Sequence, residues 1–385
     1  MNILLINSVF KTEDGKASIG GVEYHRMAKP HLVLKRLYPE YDLLMADSII
    51  NVPEQQLDET DLVIFSRQIP LAEAEQLNIR NIPYGLDLDD YWYLPEHHIA
   101  YKDYQQFNTA EETENSIRLA HFVICTTEFL AEKIRPFNNN ITIIENGIDT
   151  EDPTWQPNKT ESKRLRFGFT QGNTHVLDIK SINQSVAQSL DESWFFTKGQ
   201  IVLCGFYGED SSWRKVTVEQ YYELLLTKNH KAIRHNKEYL NKLSFLAKTD
   251  EYANEAYRRI WAVHVDTFGN VYNEFDVSVS PLIENEFNAC KSELKMLEAG
   301  FKDCAIMLHH VKPYTILATD KNSFDLCKKS FREWAKILIN NPNLVADSKG
   351  YLREDLERYD LKNLSIKRNE LYQKYKTKAN EEIKN

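Results

Sequence analysis

Short apolar runs alternate with longer amphipathic stretches along the first half of the chain. The runs are rich in branched residues and bounded by polar or turn residues, which favours strands over helices. They lie at Ile3–Ile6, Leu62–Phe65, Phe122–Cys125 and Ile141–Ile144. The stretches between them that predict helices include Val22–Leu37, Ala110–Leu119 and Glu128–Arg135. Strands that alternate with helices predict a parallel sheet with crossover helices, hence a doubly wound α/β domain.

The alternation of predicted strands and helices is interrupted at Asp149–Lys163 and resumes after it. This segment is polar, contains two prolines and lacks periodicity, so we interpret it as a linker. Beyond it, strands are predicted at Arg166–Thr170, Ile201–Gly205, Val277–Pro281 and Ala305–Leu308, and helices at Val176–Leu190 and Ala289–Ala299. A second α/β rhythm in a chain of 385 residues predicts two domains that face a central cleft. Ligands of such sheets bind beyond the carboxyl ends of the strands.

These patterns set the expected domain limits. We predict a Rossmann-like N-terminal domain over residues 1–150, a linker over 151–163 and a second Rossmann-like domain over 164–345. A charged stretch at about 210–262 predicts a helical insertion within the second domain. The helical pattern near the end of the chain predicts C-terminal helices over 346–385 that pack back toward the N-terminal domain.

Composition narrows the functional classes. The formal net charge of -10 disfavours charge-driven binding to nucleic acid or to an anionic membrane. The five cysteines are scattered without a CxxC pair, which predicts reduced thiols rather than a disulfide framework or a zinc site. The first residues, MNILLINSVF, lack a basic leader, and no apolar run approaches the ~20 residues that span a bilayer. We expect a cytoplasmic protein with at most peripheral membrane contact.

A glycine pair lies in SIGGVEYHRM, between the first predicted strand and the first predicted helix. Gly20 and Gly21 let the backbone approach a ligand closely, and the following helix offers N–H groups and a positive dipole end to an anion. A flexible turn is the alternative. The segment lacks the GxGxxG pattern, so we predict no dinucleotide cofactor.

A carboxylate cluster follows a predicted strand in LDLDDYWYLP. Alternation places Asp87 and Asp89 on one face and Asp90 on the other. Such groups suit a general base, an acceptor-hydroxyl ligand or a divalent metal site, whereas a capping and turn cluster is the alternative. Because aromatic residues follow at once, we predict Asp89 and Asp90 as catalytic, Asp87 and Trp92 as acceptor-binding, and no metal.

The segment FGFTQGNTHVLD carries a predicted strand into Gly172, with a helix just beyond. We expect Asn173 or Thr174 to cap that helix and to leave its N-terminus open to a phosphate. His175 and Asp178 share a helix face because they are three residues apart. Gly172 and Asn173 are predicted donor-binding residues and His175 a catalytic one, although a lone histidine is often structural.

The segment DVSVSPLIENEFNACKSELKMLEAG predicts a strand, a loop and a helix that ends at Gly300, a C′ position. Lys291 and Ser292 fall in the expected first turn, where N–H groups, a hydroxyl and an ammonium suit a diphosphate. Lys291 is also predicted to be catalytic, and Lys295, one turn further on, to bind the donor. Glu298 lies two turns from Lys291 on the same face, where its carboxylate can accept hydrogen bonds from a ribose diol. An amphipathic helix with its charges in solvent is the alternative.

Together these segments resemble the GT-B glycosyltransferases, in particular glycosyltransferase family four and its "glycosyl transferases group one" relatives. The matching pattern runs in order through the Gly-Gly loop, the linker, G-N-T-H-x-x-D and P-L-x4-F-N-x2-K-S-x2-K-x2-E-A-G. The resemblance implies a nucleotide-diphosphate sugar as donor, a hydroxyl acceptor and a retaining transfer without an obligatory metal. The last motif looks like that of members acting on bacterial surface polymers, which implies a glycan or lipid-linked glycan acceptor.

The resemblance also implies residue roles. Lys291 and Ser292 would hold the donor diphosphate, Glu298 would take the ribose hydroxyls, and Gly20 and Gly21 would close over the phosphates or the transferred sugar. The motif residue Asn288 is a further predicted donor contact.

Two departures from the family pattern bear on the chemistry. Cys290 stands where the first Glu of the family's Glu-x7-Glu pair is usual, and we assign that role to Glu286. Asp89 stands where an imidazole is usual before Asp90. Other functions therefore stay open: glycosylation of modified bases in phage DNA, a phosphorylase or epimerase on the same scaffold, and a sugar-binding protein without catalysis.

Overall fold

The computed structural model describes residues 1–7, 9–11, 17–206, 257–261 and 263–382. By contact, the chain divides into two compact units. The first comprises Met1–Asp149, Ala289–Ser292 and Arg358–Asn385, and the second comprises Thr150–Asn288 and Glu293–Glu357. The domain limits drawn from the sequence stay a prediction. The insertion predicted at about 210–262 lies outside the described residues as far as residue 256, and its last part forms a strand instead of a helix.

A parallel sheet forms the centre of the first unit. The strands of this unit are β1 (Asn2–Ile6), β2 (Val9–Lys11), β3 (Ala17–Ile19), β4 (Asp42–Ala46), β5 (Leu62–Ser66), β6 (Tyr84–Leu88), β7 (Phe122–Cys125) and β8 (Ile141–Ile143). The antiparallel pair β2 and β3 is separate, and the parallel sheet has the order β4-β1-β5-β6-β7-β8. Its inner strands β1, β5 and β7 are nearly continuous apolar runs because they are buried on both faces.

The helices of the first unit follow the sequence rhythm. A π-helical segment, Glu23–Ala28, leads into α1 (Lys29–Leu37), followed by α2 (Glu54–Asp58), α3 (Leu71–Ile79), α4 (Tyr101–Gln106), α5 (Thr109–Leu119) and α6 (Glu128–Ile134). Successive residues of β1 serve opposite faces. Leu4 packs in the core with Val63 and Leu86, whereas Leu5 packs in the core with Leu34 of α1.

The second unit repeats the architecture. Its strands are β9 (Leu165–Phe169), β10 (Gly199–Phe206), β11 (Tyr257–Trp261), β12 (Val277–Ser280), β13 (Ala305–Leu308) and β14 (Phe324–Asp325), in the parallel order β11-β10-β9-β12-β13-β14. Its helices are α7 (Val176–Leu190), α8 (Ser193–Lys198), α9 (Glu286–Ala289), α10 (Leu294–Phe301), α11 (Phe331–Asn340) and α12 (Pro342–Glu354). Phe167 and Val277 pack against Ile179 of α7 and Phe331 of α11. The predicted fold class, α/β with two Rossmann-like domains, is confirmed.

The helix predicted over Ala289–Ala299 is wrong at both ends. Residues 290–293 separate α9 from α10, so Lys291 and Ser292 lie outside any helix. The Cys290 side chain is buried in an apolar cluster of the first unit, and the backbone carbonyl of Cys290 accepts a hydrogen bond from Thr127 (3.4 Å). This tertiary anchoring overrides the local helical pattern.

Gly300 lies inside α10, not at a C′ position. A Cβ atom there would lie 2.5 Å from Cδ1 of Leu356 and 3.0 Å from Cγ of Leu352. Glycine is therefore required by close packing rather than by a left-handed turn.

The last helix, α13 (Leu361–Glu382), belongs to the first unit, whereas α12 belongs to the second. It packs beside α1, where Tyr372 hydroxyl and His31 Nε2 lie 2.8 Å apart, and the rings of Tyr375 and Phe122 stack at 4.2 Å. None of the described helices has the length and apolarity that crossing a bilayer requires.

Candidate active site

In the first unit, charged side chains gather where β5 and β6 end. Asp89 follows β6 and is 15% exposed; burial, and then the neighbouring Asp90 carboxylate, raise its pKa to about 7. Arg67 follows β5, and its Nε lies 4.0 Å from Oδ1 of Asp89 while its Nη2 lies 3.7 Å from Oε1 of Glu23. The carboxyl ends of parallel strands thus carry a carboxylate whose charge changes near neutral pH.

Asp87 has a different position from its neighbours. It is 3% exposed, and its oxygens accept from Arg26 Nε at 2.7 Å, from Arg26 Nη2 at 3.2 Å and from Arg368 Nη1 at 3.5 Å. The strand alternation that was expected to place Asp87 and Asp89 on one face ends at Leu88, the last residue of β6, so it does not reach Asp89. The predicted acceptor contact of Asp87 is therefore corrected: the residue is the counterion of two buried guanidinium groups.

Trp92 is likewise a core residue. It is 4% exposed and packs in the apolar core on one face of the first sheet, with its ring edge-on to Phe137 at 6.1 Å. Its indole N–H donates to Glu114 at 3.3 Å. The structure thus argues against Trp92 as an acceptor contact, and burial explains why an aromatic residue stands at this position.

Lys291 and Ser292 belong to the first unit by their contacts. Lys291 Nζ lies 3.1 Å from Oδ1 of Asp90, and Ser292 Oγ accepts a hydrogen bond from Asn146 Nδ2 at 2.7 Å. The Lys291 side chain is 16% exposed and that of Asp90 44%. Lys291, which is predicted to bind the donor, is thus paired with Asp90, a predicted catalytic carboxylate.

Gly20 and Gly21 lie just before the π-helical segment Glu23–Ala28. The Tyr24 amide donates to the Gly20 carbonyl at 2.9 Å, which closes the first turn. No described atom lies within 4 Å of a Cβ built on Gly21. The predicted glycine approach at a helix N-terminus is geometrically available.

In the second unit, the segment after β9 forms a 3-10 turn, Asn173–His175, that leads into α7. The N-cap positions belong to Gly172 for the turn and to His175 for α7, so capping by Asn173 or Thr174 is wrong. A Cβ on Gly172 would meet none of the described atoms within 4 Å.

His175 and Asp178 do share a face. His175 Nδ1 lies 2.7 Å from Oδ2 of Asp178, whose other oxygen accepts from the Ile283 amide at 2.8 Å and from Asn288 Nδ2 at 3.1 Å. Asn288 is 5% exposed and also donates to the Ile283 carbonyl at 2.9 Å. Asp178 therefore ties the imidazole to the loop after β12, and Asn288 holds that loop. Glu286 is exposed on α9.

Glu298 is 1% exposed on α10. Its Oε2 accepts from the Tyr272 hydroxyl at 2.6 Å and from Lys295 Nζ at 2.7 Å, and the Tyr272 hydroxyl lies 2.9 Å from Thr170 Oγ1. Burial and the Glu298 carboxylate raise the pKa of Tyr272. The expected shared helix face of Lys291 and Glu298 is wrong, because Lys291 precedes the helix.

No family model and no curated protein matches this chain. Solved structures resemble it over nearly its full length. A sucrose-phosphate synthase from Thermosynechococcus elongatus has a TM-score of 0.61 at 12% identity, covering 97% of this chain and 98% of that chain. A glycosyltransferase from Rickettsia africae has a TM-score of 0.60 at 12% identity, with coverage of 97% and 98%. An alpha-glucosyltransferase in complex with UDP and a 13-mer DNA containing an HMU base has a TM-score of 0.57 at 10% identity, with coverage of 97% and 99%.

The fold is that of the GT-B glycosyltransferases. At 10% to 12% identity the likeness establishes the architecture. A shared fold does not assign the roles of individual residues, and membership of family four stays a prediction.

Side chains close enough together to hold a metal ion occur in the second unit, away from the Asp87–Asp90 segment. Among the residues that the structure describes, a group with the required spacing consists of His310, Asp320 and Asp325. Lys328 Nζ lies 2.6 Å and 2.5 Å from the two oxygens of Asp320, so an ammonium already balances that carboxylate.

Three residues of the GT-B first unit were not predicted. Arg67 has a φ of 66°, a left-handed backbone that a non-glycine residue rarely adopts, and Glu23 faces it. Asn7 is 3% exposed at the end of β1, and neither atom of its amide has a hydrogen-bond partner within the described part of the chain. Each had a weak sequence signal: Asn7 and Arg67 follow predicted strands, and Glu23 lies in the segment that contains the glycine pair.

Proposed function

We propose that this protein transfers a glycosyl group from a nucleotide-diphosphate sugar to a hydroxyl acceptor, with retention of configuration and without a metal or other cofactor. The observation that carries the proposal is the position of Lys291 and Ser292. An ammonium and a hydroxyl follow each other in a non-helical segment, where Asp90 and Asn146 of the first unit hold them, and both groups suit a diphosphate. The GT-B fold and the UDP named with one structural neighbour agree with it.

In the proposed reaction, the bond between the anomeric carbon and the diphosphate oxygen breaks while a bond to the acceptor oxygen forms. Negative charge builds on the leaving diphosphate, and Lys291 stabilises that charge once it exchanges Asp90 for the donor. The acceptor hydroxyl loses its proton to Asp89, whose pKa of about 7 suits a base that works near neutral pH.

The remaining predicted residues divide between binding and support. Gly20, Gly21, Gly172 and Asn173 bring the backbone close to the phosphates. His175, oriented by Asp178, and Glu286 serve the transferred sugar. Lys295 and Glu298 serve the ribose, with Tyr272 and Lys295 fixing the Glu298 carboxylate.

For the acceptor we propose a glycan or lipid-linked glycan in bacterial surface polymer synthesis in the cytoplasm. DNA is the second candidate, because one structural neighbour was solved with DNA. The charges at the ends of β5 and β6 favour the glycan. Glu23, Asp89 and Asp90 oppose a polyanion there, and alternating carboxylates and cations suit a polyhydroxyl compound.

A thermal-shift panel of UDP-, GDP-, ADP- and CDP-sugars tests the donor. A donor at 100 times its Kd stabilises the folded state by about 2.7 kcal/mol. The stabilising donor is then offered with glycan acceptors, duplex DNA or phosphate. Absence of both stabilisation and nucleotide release for every donor overturns the proposal. Turnover that requires DNA or phosphate selects the corresponding alternative, and donor binding without any hydrolysis or transfer selects a sugar-binding protein.

A further inference from the structure

Arg26 is a buried cation, and all three of its guanidinium nitrogens donate hydrogen bonds. Its side chain is 2% exposed. Nε and Nη2 donate to the two oxygens of Asp87 in a bidentate pair, at 2.7 Å and 3.2 Å. This pair fixes the plane of the guanidinium and directs Nη1 to the segment after β8. There Nη1 donates to the Ile144 carbonyl at 2.9 Å, and it shares its other hydrogen between Asn146 Oδ1 at 3.2 Å and the Glu145 carbonyl at 3.3 Å.

The contact with Arg26 fixes the orientation of the Asn146 amide. A guanidinium only donates hydrogen bonds, so the Asn146 atom facing it must be the oxygen. The amide nitrogen then faces Ser292, and its N–H donates to Ser292 Oγ at 2.7 Å. Because Ser292 accepts this bond, its own proton is not used in it and points to a different partner.

We propose that Arg26 and Asn146 are positioning residues that make Ser292 a hydrogen-bond donor toward an anionic oxygen of the donor diphosphate. The polarity runs in one direction, from the Arg26 guanidinium through the Asn146 amide to the Ser292 hydroxyl and then to the ligand. This inference rests on the proposed function, since it assigns the ligand of Ser292, but its geometry concerns the first unit alone.

The most direct test is to reverse the direction of the hydrogen bond between residue 146 and Ser292. In Asn146→Asp the new carboxylate only accepts, so Ser292 donates its proton to that carboxylate and no longer to the ligand. The carboxylate also pairs with Arg26, so the melting temperature is expected to stay at or above the wild-type value. We expect the Kd for UDP and for inorganic pyrophosphate to rise about tenfold or more, as for loss of a hydrogen bond to a charged group.

The added negative charge could weaken anion binding by itself, and a double-mutant cycle separates the two causes. If Asn146 acts through Ser292, Asn146→Asp changes Kd by less than about twofold in a Ser292→Ala background. A tenfold effect that persists in that background is a direct charge effect and overturns the proposal, as does an unchanged Kd in Asn146→Asp alone.

Asn138→Asp is the matched control. The Asn138 amide donates to the carbonyls of Ile117 and Ala120 at 2.8 Å and 2.7 Å, so the same change costs stability there while the Kd stays within about twofold of wild type.

Failure of the proposed function is distinguishable. If the wild type binds neither UDP nor pyrophosphate, the donor assignment fails. The hydrogen-bond chain from Arg26 through Asn146 to Ser292 is then tested by amide hydrogen exchange over residues 289–292, which Asn146→Ala should accelerate and Asn138→Ala should leave unchanged. Equal exchange in Asn146→Ala and wild type overturns this hydrogen-bond chain.

Discussion

The ammonium of Lys291 lies 3.1 Å from a carboxylate oxygen of Asp90, a residue 201 positions earlier in the chain. Without a donor, the cation assigned to the diphosphate is thus held by a carboxylate assigned to the acceptor step. A diphosphate carries more negative charge than Asp90 and competes for the same ammonium. In the proposed reaction, donor binding would therefore release Asp90 for the acceptor step.

We expect Lys291→Ala to lower kcat/KM by about 10²-fold to 10³-fold, since the charge on the leaving diphosphate loses its main stabilising cation. The unfolding free energy should change by less than about 1 kcal/mol, because the partner Asp90 is 44% exposed. Steady-state kinetics and thermal melting check the two expectations. Lys367→Ala removes a comparable ion pair, with Glu145 at 2.9 Å, and should leave kcat/KM unchanged. Full activity in Lys291→Ala contradicts its assignment.

We expect Asp89 to give the transfer rate and the free energy of unfolding opposite responses to pH. As a base, it acts when ionised, so the transfer rate should rise with pH through about 7, and Asp89→Asn should abolish this rise. For stability, burial raises the pKa of the folded state above the ordinary 3.8, so the folded state retains a proton that the unfolded state has lost. The free energy of unfolding should fall as pH rises from about 4 through about 7.

The comparison between Asp89→Asn and wild type by denaturant unfolding at several pH values checks the second expectation. The variant should gain stability relative to wild type as pH increases. A pH profile of transfer that is identical in both proteins rules out Asp89 as the base.

The alternating elements could be predicted because each is encoded locally. Runs such as Leu62–Phe65 are apolar at every position, as buried parallel strands must be. The His175–Asp178 contact was also predictable, since three residues along a helix bring two side chains together. Both inferences need only neighbours in the sequence.

The remaining features depend on distant contacts. Residues 290–293 are not helical because Cys290 is anchored by the first unit, and nothing in the surrounding sequence encodes that anchor. Trp92 and Asp87 were assigned to the acceptor because aromatic and acidic residues suit a sugar, but local sequence does not reveal burial. The strained backbone of Arg67 is likewise visible only in three dimensions.

Replacing Asn7 should raise the stability of the fold and lower the rate of transfer. The Asn7 amide has no partner among the described residues, and an unpaired buried amide is costly. Replacement by an apolar residue of similar shape, Asn7→Leu, should therefore raise the unfolding free energy by about 1–3 kcal/mol. If the amide is reserved for substrate hydroxyls at the end of β1, transfer should fall at least tenfold. As a control, Ser365→Ala removes a buried hydroxyl on α13 that likewise lacks a partner in the described chain, and it should not affect transfer. A stabilised Asn7→Leu variant with unchanged kinetics shows that the amide has no role with substrate.

Gly172 and Gly168 provide a pair of glycines with opposite expectations. A Cβ on Gly168 would overlap the Phe275 ring, so Gly168→Ala should cost about 1–3 kcal/mol of stability. Gly172 has an extended backbone, with φ -79° and ψ -175°, and no described atom lies within 4 Å of its added Cβ. Gly172→Ala should therefore melt like wild type.

For the KM of the donor, we expect the opposite order: Gly172→Ala should change it and Gly168→Ala should not. If the turn before α7 receives the donor phosphates, the methyl group of Gly172→Ala occupies the space that the donor enters, and the KM for the donor should rise about tenfold. The folded fraction of Gly168→Ala should retain the wild-type KM, because Gly168 packs against Phe275 inside the core. Melting curves and donor titrations on both variants check this pairing. A wild-type KM in Gly172→Ala removes this turn from the donor site and leaves Lys291 and Ser292 as the residues on which donor binding depends.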